Sequence, residues 1–371
     1  MARRLIAAAE PRRHLPWEGF TDAYRDLMRP RGIPEAGFLK IWASGLKKAV
    51  RQRYSIIERQ IEHPLRDSWW QSLVPDVERI NIPTLVCGSF SDNNLHSRGS
   101  FRGFSMIKSS ERHLYTHRTG KWATFYANEA RQTQLDFFDR HLRGRDSPAL
   151  PTVRLEVRAD RTTVTAVRNE TDWPLPRTRW TDLHLDTTGL LLTPATRASH
   201  LTFPVTARGL SFGHTFSTDT ELTGRMTAHL WVELHDTDDA DLFVGVEKWD
   251  GNRYVPFEGS YGFGRDRITT GWQRISLHGL SANEPSDFSA SRPLEPGEIA
   301  EVTIELGPSA TYFAAGQAIR LVIAGRWLWP RNPLTGQFPA AYKSLRRGRC
   351  TVYWGPDRPS RLTVPIIPIL E

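Results

Sequence analysis

The sequence predicts a chain in two parts, an α/β region followed by an all-β region. Between about residues 80 and 144, strand-like and helix-like stretches alternate, which is typical of a parallel sheet. Beyond residue 149, apolar residues recur at every second position in short runs broken by Gly, Pro, Asp and Thr. We therefore expect an α/β domain over residues 1–144 and a jelly-roll β-sandwich over residues 149–371.

The α/β part begins with a segment of irregular helical character, about residues 22–75. Residues 22–28 predict a short helix, and apolar residues near helical spacing predict a longer one within residues 36–60. A third short helical piece is expected within residues 63–75. This arrangement is typical of a helical cap and not of a sheet.

Two strands and an intervening helix follow the cap. Residues 82–92 have the pattern of a buried parallel strand that ends in an acid, and residues 112–117 have the pattern of the next strand, which ends in a histidine. Residues 97–107 predict a helix between them. The order strand, helix, strand favours two parallel neighbours in one sheet.

A second helix is expected at residues 128–142. Asn128 is predicted to cap its first turn. Gly144 is predicted to end it, because a left-handed residue commonly follows the last turn of a helix. The apolar stripe that we expect this helix to bury consists of Leu135, Phe138 and Leu142.

Asp92 and His117 are the candidate catalytic residues. Each follows the carboxyl end of a predicted strand, where open α/β sheets place their chemistry. An acid followed by a histidine is the order of the last two members of the Ser–Asp–His triad in α/β-hydrolases. There the acid orients the imidazole, which acts as the general base. We expect the two side chains to meet at about 2.6–3.2 Å.

Each of these residues has an alternative interpretation. Asp92 precedes two asparagines and is also typical of a turn-forming aspartate. His117 is also typical of a surface-loop histidine, and His113 is its rival as the base. His113 lies within the strand-like run, so its ring is expected to pack against other groups. Four residues along a strand span about 13 Å, so the two histidines do not form a metal pair.

The nucleophile that such a pair requires is not evident. We expect no G-x-S-x-G elbow, which holds a serine on a sharp strand-to-helix turn, anywhere in the chain. Ser89 and Ser91 lie on the strand end of Asp92 itself, Ser44 lies in a helical run, and Cys87 is interpreted as a core residue. We expect a chain without its nucleophile, from a late gene start, a fragmented gene or a split enzyme, and therefore inactive alone.

Composition argues against several other classes of protein. The net charge of +8 comes from scattered arginines without a nucleic-acid motif, so no nucleic-acid partner is expected. No apolar run approaches about 18 residues, so no membrane span is predicted. The two cysteines do not suggest a disulfide framework, and the cytoplasm is the expected compartment.

No metal or cofactor is expected either. Asp236, Asp238 and Asp241 superficially have the spacing of a calcium loop, but Ala240 occupies a ligand position and Asp241 stands where the loop requires glycine. We interpret the segment as a β-turn whose carboxylates accept backbone N–H groups. The oligomeric state is left open.

Five motifs in order resemble one known family. They are PWEGFTDAYRD at residues 16–26, GSFSD at 88–92, YTH with GKW at 115–122, DTDDADLF at 236–243 and AAGQAIRL at 314–321. Together they resemble the cocaine-esterase/NonD-type (CocE/NonD) hydrolases, relatives of the Xaa-Pro dipeptidyl-peptidases. The resemblance extends from about residue 15 to near the end of the chain.

The resemblance implies the C-terminal part of an α/β-hydrolase sheet with a helical cap, followed by a jelly roll. It implies a serine hydrolase that cleaves small ester, amide or Xaa-Pro peptide substrates by acyl transfer, with Asp92 as the acid and His117 as the base. Two features depart from the family: Phe90 stands where Trp is common, and the serine-bearing N-terminal region is missing. The alternative is a non-catalytic module whose jelly roll binds carbohydrate or peptide.

Overall fold

The fold described here is that of a computed structural model. It describes residues 21–37, 56–93, 96–207, 209–259, 262, 264–278, 287–328, 342 and 347–368. Most of the helix predicted within residues 36–60 lies outside these residues. No helix among the described residues combines the length and the apolar character needed to cross a membrane.

The segment before the first strand consists of short helical pieces. They are a π-helical turn at Tyr24–Met28, a 3-10 turn at Pro30–Gly32, helix α1 at Ile56–Glu62, helix α2 at Ser68–Ser72 and a 3-10 turn at Val77–Arg79. The carboxylate of Asp67 caps α2 by accepting the N–H groups of Trp69 and Trp70. The helical character predicted for this segment is thus present in its described residues.

The predicted alternation of strands and helices is confirmed after residue 80. The elements are β1 at Thr84–Ser89, α3 at Ser97–Met106, β2 at Arg112–His117, α4 at Lys121–Phe125 and α5 at Asn128–Arg143. Strands β1 and β2 are parallel, with Thr84 opposite Arg112 and Ser89 opposite His117. Both strands therefore end at the same edge of the sheet.

Helix α5 ends as predicted but begins differently. Gly144 adopts a left-handed conformation with φ 62°, which confirms its role at the C-terminus. The prediction that Asn128 caps the helix is wrong, because Ala127 occupies the capping position and Asn128 is the first helical residue. The first turn therefore has no side-chain cap.

The apolar stripe predicted for α5 is also wrong. Leu135 and Leu142 are 51% and 52% exposed, whereas Phe137 and Ala130 are buried. Phe137 packs edge-on against His113 of β2, with 6.2 Å between ring centroids. Because each helical residue advances by about 100°, Leu135 points almost opposite to Phe137 and away from the sheet.

The remainder of the chain is almost entirely strands. These are β3 Val153–Arg158, β4 Val164–Glu170, β5 Arg179–Asp186, β6 Gly189–Leu191, β7 Ser199–Pro204, β8 Leu210–Thr215, β9 Thr220–Gly224, β10 Thr227–His235, β11 Asp241–Asp250, β12 Arg253–Val255, β13 Phe257–Glu258, β14 Arg265–Asp266, β15 Thr269–Arg274, β16 Ile299–Glu305, β17 Ser309–Phe313, β18 Gln317–Ala324, β19 Arg349–Trp354 and β20 Arg361–Ile367. A 3-10 turn at Ile275–Leu277 follows β15.

The parallel strands continue directly into the β-rich part. In the larger sheet the order is β1-β2-β3-β17-β9-β20-β10-β19-β7, and β3 is parallel to β2 with Leu114 opposite Val153. A second sheet has the order β12-β11-β18-β8, with β15 also on β11. Strand β3 thus belongs to the sheet of β1 and β2, although it lies beyond the predicted domain boundary at residues 144–149, which stays a prediction.

The largest core lies between the two sheets. It joins apolar side chains of β10, β16 and β19 in one sheet to those of β8, β11 and β18 in the other. A second core combines the α/β elements with β3, β17 and β20. The α/β part followed by a β-rich part is confirmed, and the jelly-roll topology stays a prediction.

Candidate active site

Asp92 and His117 lie at the same edge of the sheet. His117 is the last residue of β2 and is opposite Ser89, the last residue of β1, and Asp92 follows three residues later. The N–H of Phe90 donates to the carbonyl of His117 at 2.7 Å, which keeps the two chain ends together. The carboxyl edge predicted for both residues is therefore where the structure places them.

The carboxylate of Asp92 is buried, at 1% exposure, and faces the side chains of a lysine and a histidine. Its Oδ2 lies 3.5 Å from Lys121 Nζ and 4.0 Å from His96 Nε2. Its Oδ1 is buried and accepts no hydrogen bond from the described residues. The backbone carbonyl of Asp92 accepts the N–H of Ser97 at 3.2 Å, which ties the acid to the start of α3.

The imidazole of His117 is oriented by neighbours in its own turn. Its Nδ1 lies 2.9 Å from the carbonyl oxygen of Thr119 and 3.1 Å from Thr124 Oγ1. Because a carbonyl oxygen only accepts, Nδ1 carries the proton and the lone pair is on Nε2. The direct bond to Asp92 expected from the sequence is replaced by the bond to Thr119.

Burial lowers the pKa of His117 to about 4. The bond to the Thr119 carbonyl and the negative charges of Glu156 and Asp92 oppose this shift. The imidazole is therefore neutral at pH 7, which is the protonation state that a general base needs.

The low pKa of His117 predicts a loss of stability in mild acid. The unfolded residue titrates near pH 6.5, so protons bind the unfolded chain more tightly than the native one. The contribution of the neutral imidazole to the free energy of unfolding is complete above pH 6.5 and falls as the pH drops towards 4. About 2 kcal/mol of it is lost by pH 5. Urea unfolding of wild type and His117→Gln across this range measures it. An identical pH dependence in both proteins would contradict this assignment.

Arg118 connects the segment that follows His117 to the β-rich part through hydrogen bonds. Its guanidinium is buried and donates to the carbonyls of Ile268 at 3.0 Å and Arg267 at 2.6 Å. Its backbone N–H donates to Glu156 Oε1 of β3 at 3.1 Å. The position of the histidine therefore depends on residues more than a hundred positions away in the chain.

Sequence interpretation missed three side chains of this site: His96, Lys121 and Thr124. His96 stands four residues after Asp92 and directly before α3, so its spacing was the available signal. Lys121 and Thr124 both come from α4, which begins four residues after His117. Only the fold brings α4 over the acid.

The other sequence candidates lie in different settings. His113 Nδ1 lies 2.9 Å from the carbonyl of Pro151, and its ring packs beside α5. The hydroxyls of Ser89 and Ser91 are buried and 2.9 Å apart, while α3 begins only at Ser97. Neither serine is on a strand-to-helix elbow. Ser44 lies outside the described residues.

The interpretation of Cys87 as a core residue is wrong, because its side chain is exposed. It lies in β1, whose only strand partner among the described residues is β2. The alternation of burial along β1 places Val86 inside and Cys87 on the uncovered face. An apolar strand pattern does not reveal which face the rest of the fold covers.

The expectation that the chain contains no G-x-S-x-G is wrong for the string itself, because GLSFG stands at residues 209–213. Its serine, Ser211, is exposed in β8 and pairs with Val322 of the antiparallel neighbour β18. Strand β8 continues to Thr215 and no helix follows, so the string does not form a nucleophile elbow.

The acidic turn near residue 240 is held together by arginines. Asp236 lies 3.3 Å from Arg349, and Asp241 lies 2.8 Å from Arg274. In the part of the chain that the structure describes, no group of three or more His, Cys, Asp or Glu side chains could hold a metal ion. The carboxylates predicted to accept backbone N–H groups thus pair mainly with guanidinium groups.

Comparison with known proteins identifies the family. Residues 148–363 match the model of the X-Pro dipeptidyl-peptidase C-terminal non-catalytic domain. Two crystal structures of a CocE/NonD family hydrolase from Staphylococcus aureus match with a TM-score of 0.89 at 32% identity. The match covers 95% of this chain and 66% and 67% of those chains. The chain belongs to the CocE/NonD hydrolase family.

Two further relatives place this CocE/NonD chain more broadly. Cocaine esterase from Rhodococcus sp. (strain MB1 Bresler) is 25% identical over 370 residues, which are 84% of this chain and 61% of the esterase. The structure of an α-amino acid ester hydrolase shares the fold at 16% identity, with a TM-score of 0.67. The match covers 94% of this chain and 71% of the hydrolase chain. The chain therefore spans about three fifths of the length of cocaine esterase.

Proposed function

We propose that this CocE/NonD chain supplies the acid and the base of a serine-hydrolase site that cleaves ester or Xaa-Pro amide bonds by acyl transfer. The observation that carries the proposal is the position of Asp92 and His117 after adjacent parallel strands, at one edge of the sheet. Membership of the family supports the reaction class.

The geometry of His117 suits proton transfer through Nε2. With the proton of Nδ1 held by the Thr119 carbonyl, Nε2 accepts the proton of a serine hydroxyl as that oxygen attacks the substrate carbonyl. The same nitrogen then protonates the leaving group, and a water repeats the cycle to release the acyl group. The charge of Asp92 favours the imidazolium form and so stabilises it during the reaction.

The nucleophile in this proposal comes from a segment that docks beside α4. Trp122, Phe125 and Tyr126 lie just after the His117 turn and are 58%, 48% and 67% exposed. Exposed apolar side chains in such a group are typical of an interaction surface. A segment that covers them would bring its own residues next to the histidine.

Without such a segment the chain is expected to be inactive. This chain alone should show no turnover of p-nitrophenyl esters or Xaa-Pro anilides and no labelling by a fluorophosphonate, because no serine of the described residues is on a strand-to-helix elbow. An active serine hydrolase labelled in parallel is the positive control. Stoichiometric labelling of any serine of this chain would contradict the proposal.

A second candidate function is a non-catalytic binding module. The matched family model over residues 148–363 is described as non-catalytic, which favours this alternative for the β-rich part. It predicts saturable binding of a glycan or peptide that Asp92→Asn and His117→Gln leave unchanged. Binding screens with both variants distinguish it from the hydrolase proposal.

A further inference from the structure

A cavity lined by arginines lies where the segment around residues 24–32 and α3 meet the β-rich part. It is about 70 Å³ in volume, and its charged lining consists of Arg25, Arg31, Arg98, Arg102, Arg225 and Glu305. These residues come from the segment around residues 24–32, from α3, from the turn between β9 and β10, and from the end of β16. The cavity lining thus contains five guanidinium groups and only one carboxylate.

Two of the five arginines are neutralised by carboxylates. Arg31 pairs with Glu305 through Nη2. Arg102 Nη1 lies 2.9 Å from Asp26 Oδ1, and the buried Asp26 also accepts the N–H of Thr21 at 2.8 Å. These ion pairs use both carboxylates and leave three guanidinium charges to account for.

Arg98 is held in place without a carboxylate. Its Nη2 donates to the carbonyl of Thr270 at 2.8 Å, and its guanidinium lies 4.0 Å from the ring centroid of Trp272. Burial lowers the pKa of Arg98 to about 10, so it remains charged at neutral pH. A carbonyl and an aromatic face orient the group but do not cancel its charge.

Arg225 also lacks a carboxylate partner among the described residues, and Arg25 has only one that it shares with Arg66. The Nε of Arg25 is buried without a hydrogen bond, and the carboxylate of Asp22, with which it forms an ion pair at 3.6 Å, lies closer to Arg66, at 2.7 Å. The side chain of Arg225 makes no hydrogen bond or ion pair with any described residue, and burial lowers its pKa. Positive charges held close together repel one another, so an anion between these guanidinium groups would be stabilising.

We propose that this cavity binds a multiply charged oxyanion, of which phosphate is the simplest. Guanidinium groups match the geometry of phosphate oxygens and donate two parallel hydrogen bonds. One water needs only about 10–15 Å³ of such space, so the cavity admits a group of several atoms. The site does not depend on the proposed acyl transfer, although Arg98 follows His96 by only two residues.

Calorimetric titration of the full chain with inorganic phosphate tests the site. We expect one saturable site and a higher melting temperature than in acetate or chloride at equal ionic strength. Arg225→Gln removes a charge without breaking an ion pair of a described residue, and is expected to weaken phosphate binding by about tenfold or more. The matched control is Arg253→Gln, because the side chain of Arg253 is 75% exposed, lies in the β11–β12 hairpin and does not line the cavity.

Two further measurements complete the design. Arg25→Gln provides a second variant with the same expected loss, and circular dichroism verifies that each variant is folded. A titration with glycerol phosphate shows whether the site prefers a free phosphate ion or the phosphate group of a larger molecule. Tighter binding of either ligand supports the site. Equal effects of phosphate and acetate, or unchanged binding in both arginine variants, would overturn it.

Discussion

Residues 1–144 expressed without the rest of the chain are expected to be insoluble or molten. Each apolar core that contains described residues from this part is completed by residues that come later in the chain. Val86 and Leu114 pack in one core with Val153 and Leu155 of β3. A domain is stable by only about 5–15 kcal/mol, so the loss of one face of such a core removes the margin.

The helical segment before the sheet depends on the later part in the same way. Tyr24 and Trp70 share a core with Leu277 and Phe288. Ile33 shares another core with the aromatic side chains Phe243, Trp272 and Tyr342. Neither core can form from residues 1–144 alone.

Residues 149–371 are the matched control for this truncation. The members of the largest core all lie between Leu183 and Val364, so this part retains it and is expected to melt cooperatively. In this piece, Val153, Leu155 and Val157 lose the side chains of residues 1–144 that cover them in the full chain. Its melting temperature should therefore be lower than that of the full chain. Near-ultraviolet circular dichroism and amide exchange measure both pieces. Sharp melting and slow exchange in isolated residues 1–144 would show a self-sufficient domain.

Phe101→Ala is expected to destabilise the full chain by about 3–5 kcal/mol. The ring of Phe101 in α3 is fully buried, stacked on Phe90 with 5.1 Å between ring centroids and tilted against Trp173 with 4.8 Å between centroids. Trp173 belongs to the β-rich part and Phe90 to the loop after β1. The cavity left by the ring therefore lies where the two parts of the chain meet.

Phe125→Ala is the control for this substitution. Phe125 is 48% exposed in α4, so the same truncation should change the free energy of unfolding by about 0.5 kcal/mol or less. Urea unfolding of both variants measures the difference. A loss below about 1 kcal/mol for Phe101→Ala would show that this core is not well packed in solution.

The strand ends that carry Asp92 and His117 could be predicted because their signal is local. An apolar run followed by an acid, and another followed by a histidine, are each contained within a dozen residues. Parallel pairing then follows from the helix between them. The partners of the two side chains could not be predicted. Lys121 contacts Asp92 and Thr124 contacts His117 only because the chain turns back after β2, which places α4 beside both residues.

Periodicity also failed to show which surface is covered. The spacing of Leu135 and Leu142 fits a helical stripe, yet the sheet covers the face of Phe137. Strand β3 alternates like the strands that follow it, but it pairs in parallel with β2. Periodicity shows that one face of a helix or strand is apolar. Which element packs against that face depends on contacts between segments that are distant in the sequence.

The rate of ester hydrolysis in a hybrid protein tests the central claim most directly. An N-terminal segment of a CocE/NonD relative that carries a G-x-S-x-G elbow is fused before residue 21 of this chain, and p-nitrophenyl acetate is the substrate. We predict hydrolysis that falls by at least about 10³-fold in His117→Gln and in Asp92→Asn but only slightly in His113→Gln. An active hybrid that keeps its rate in His117→Gln, or loses it in His113→Gln, would contradict the assignment of acid and base.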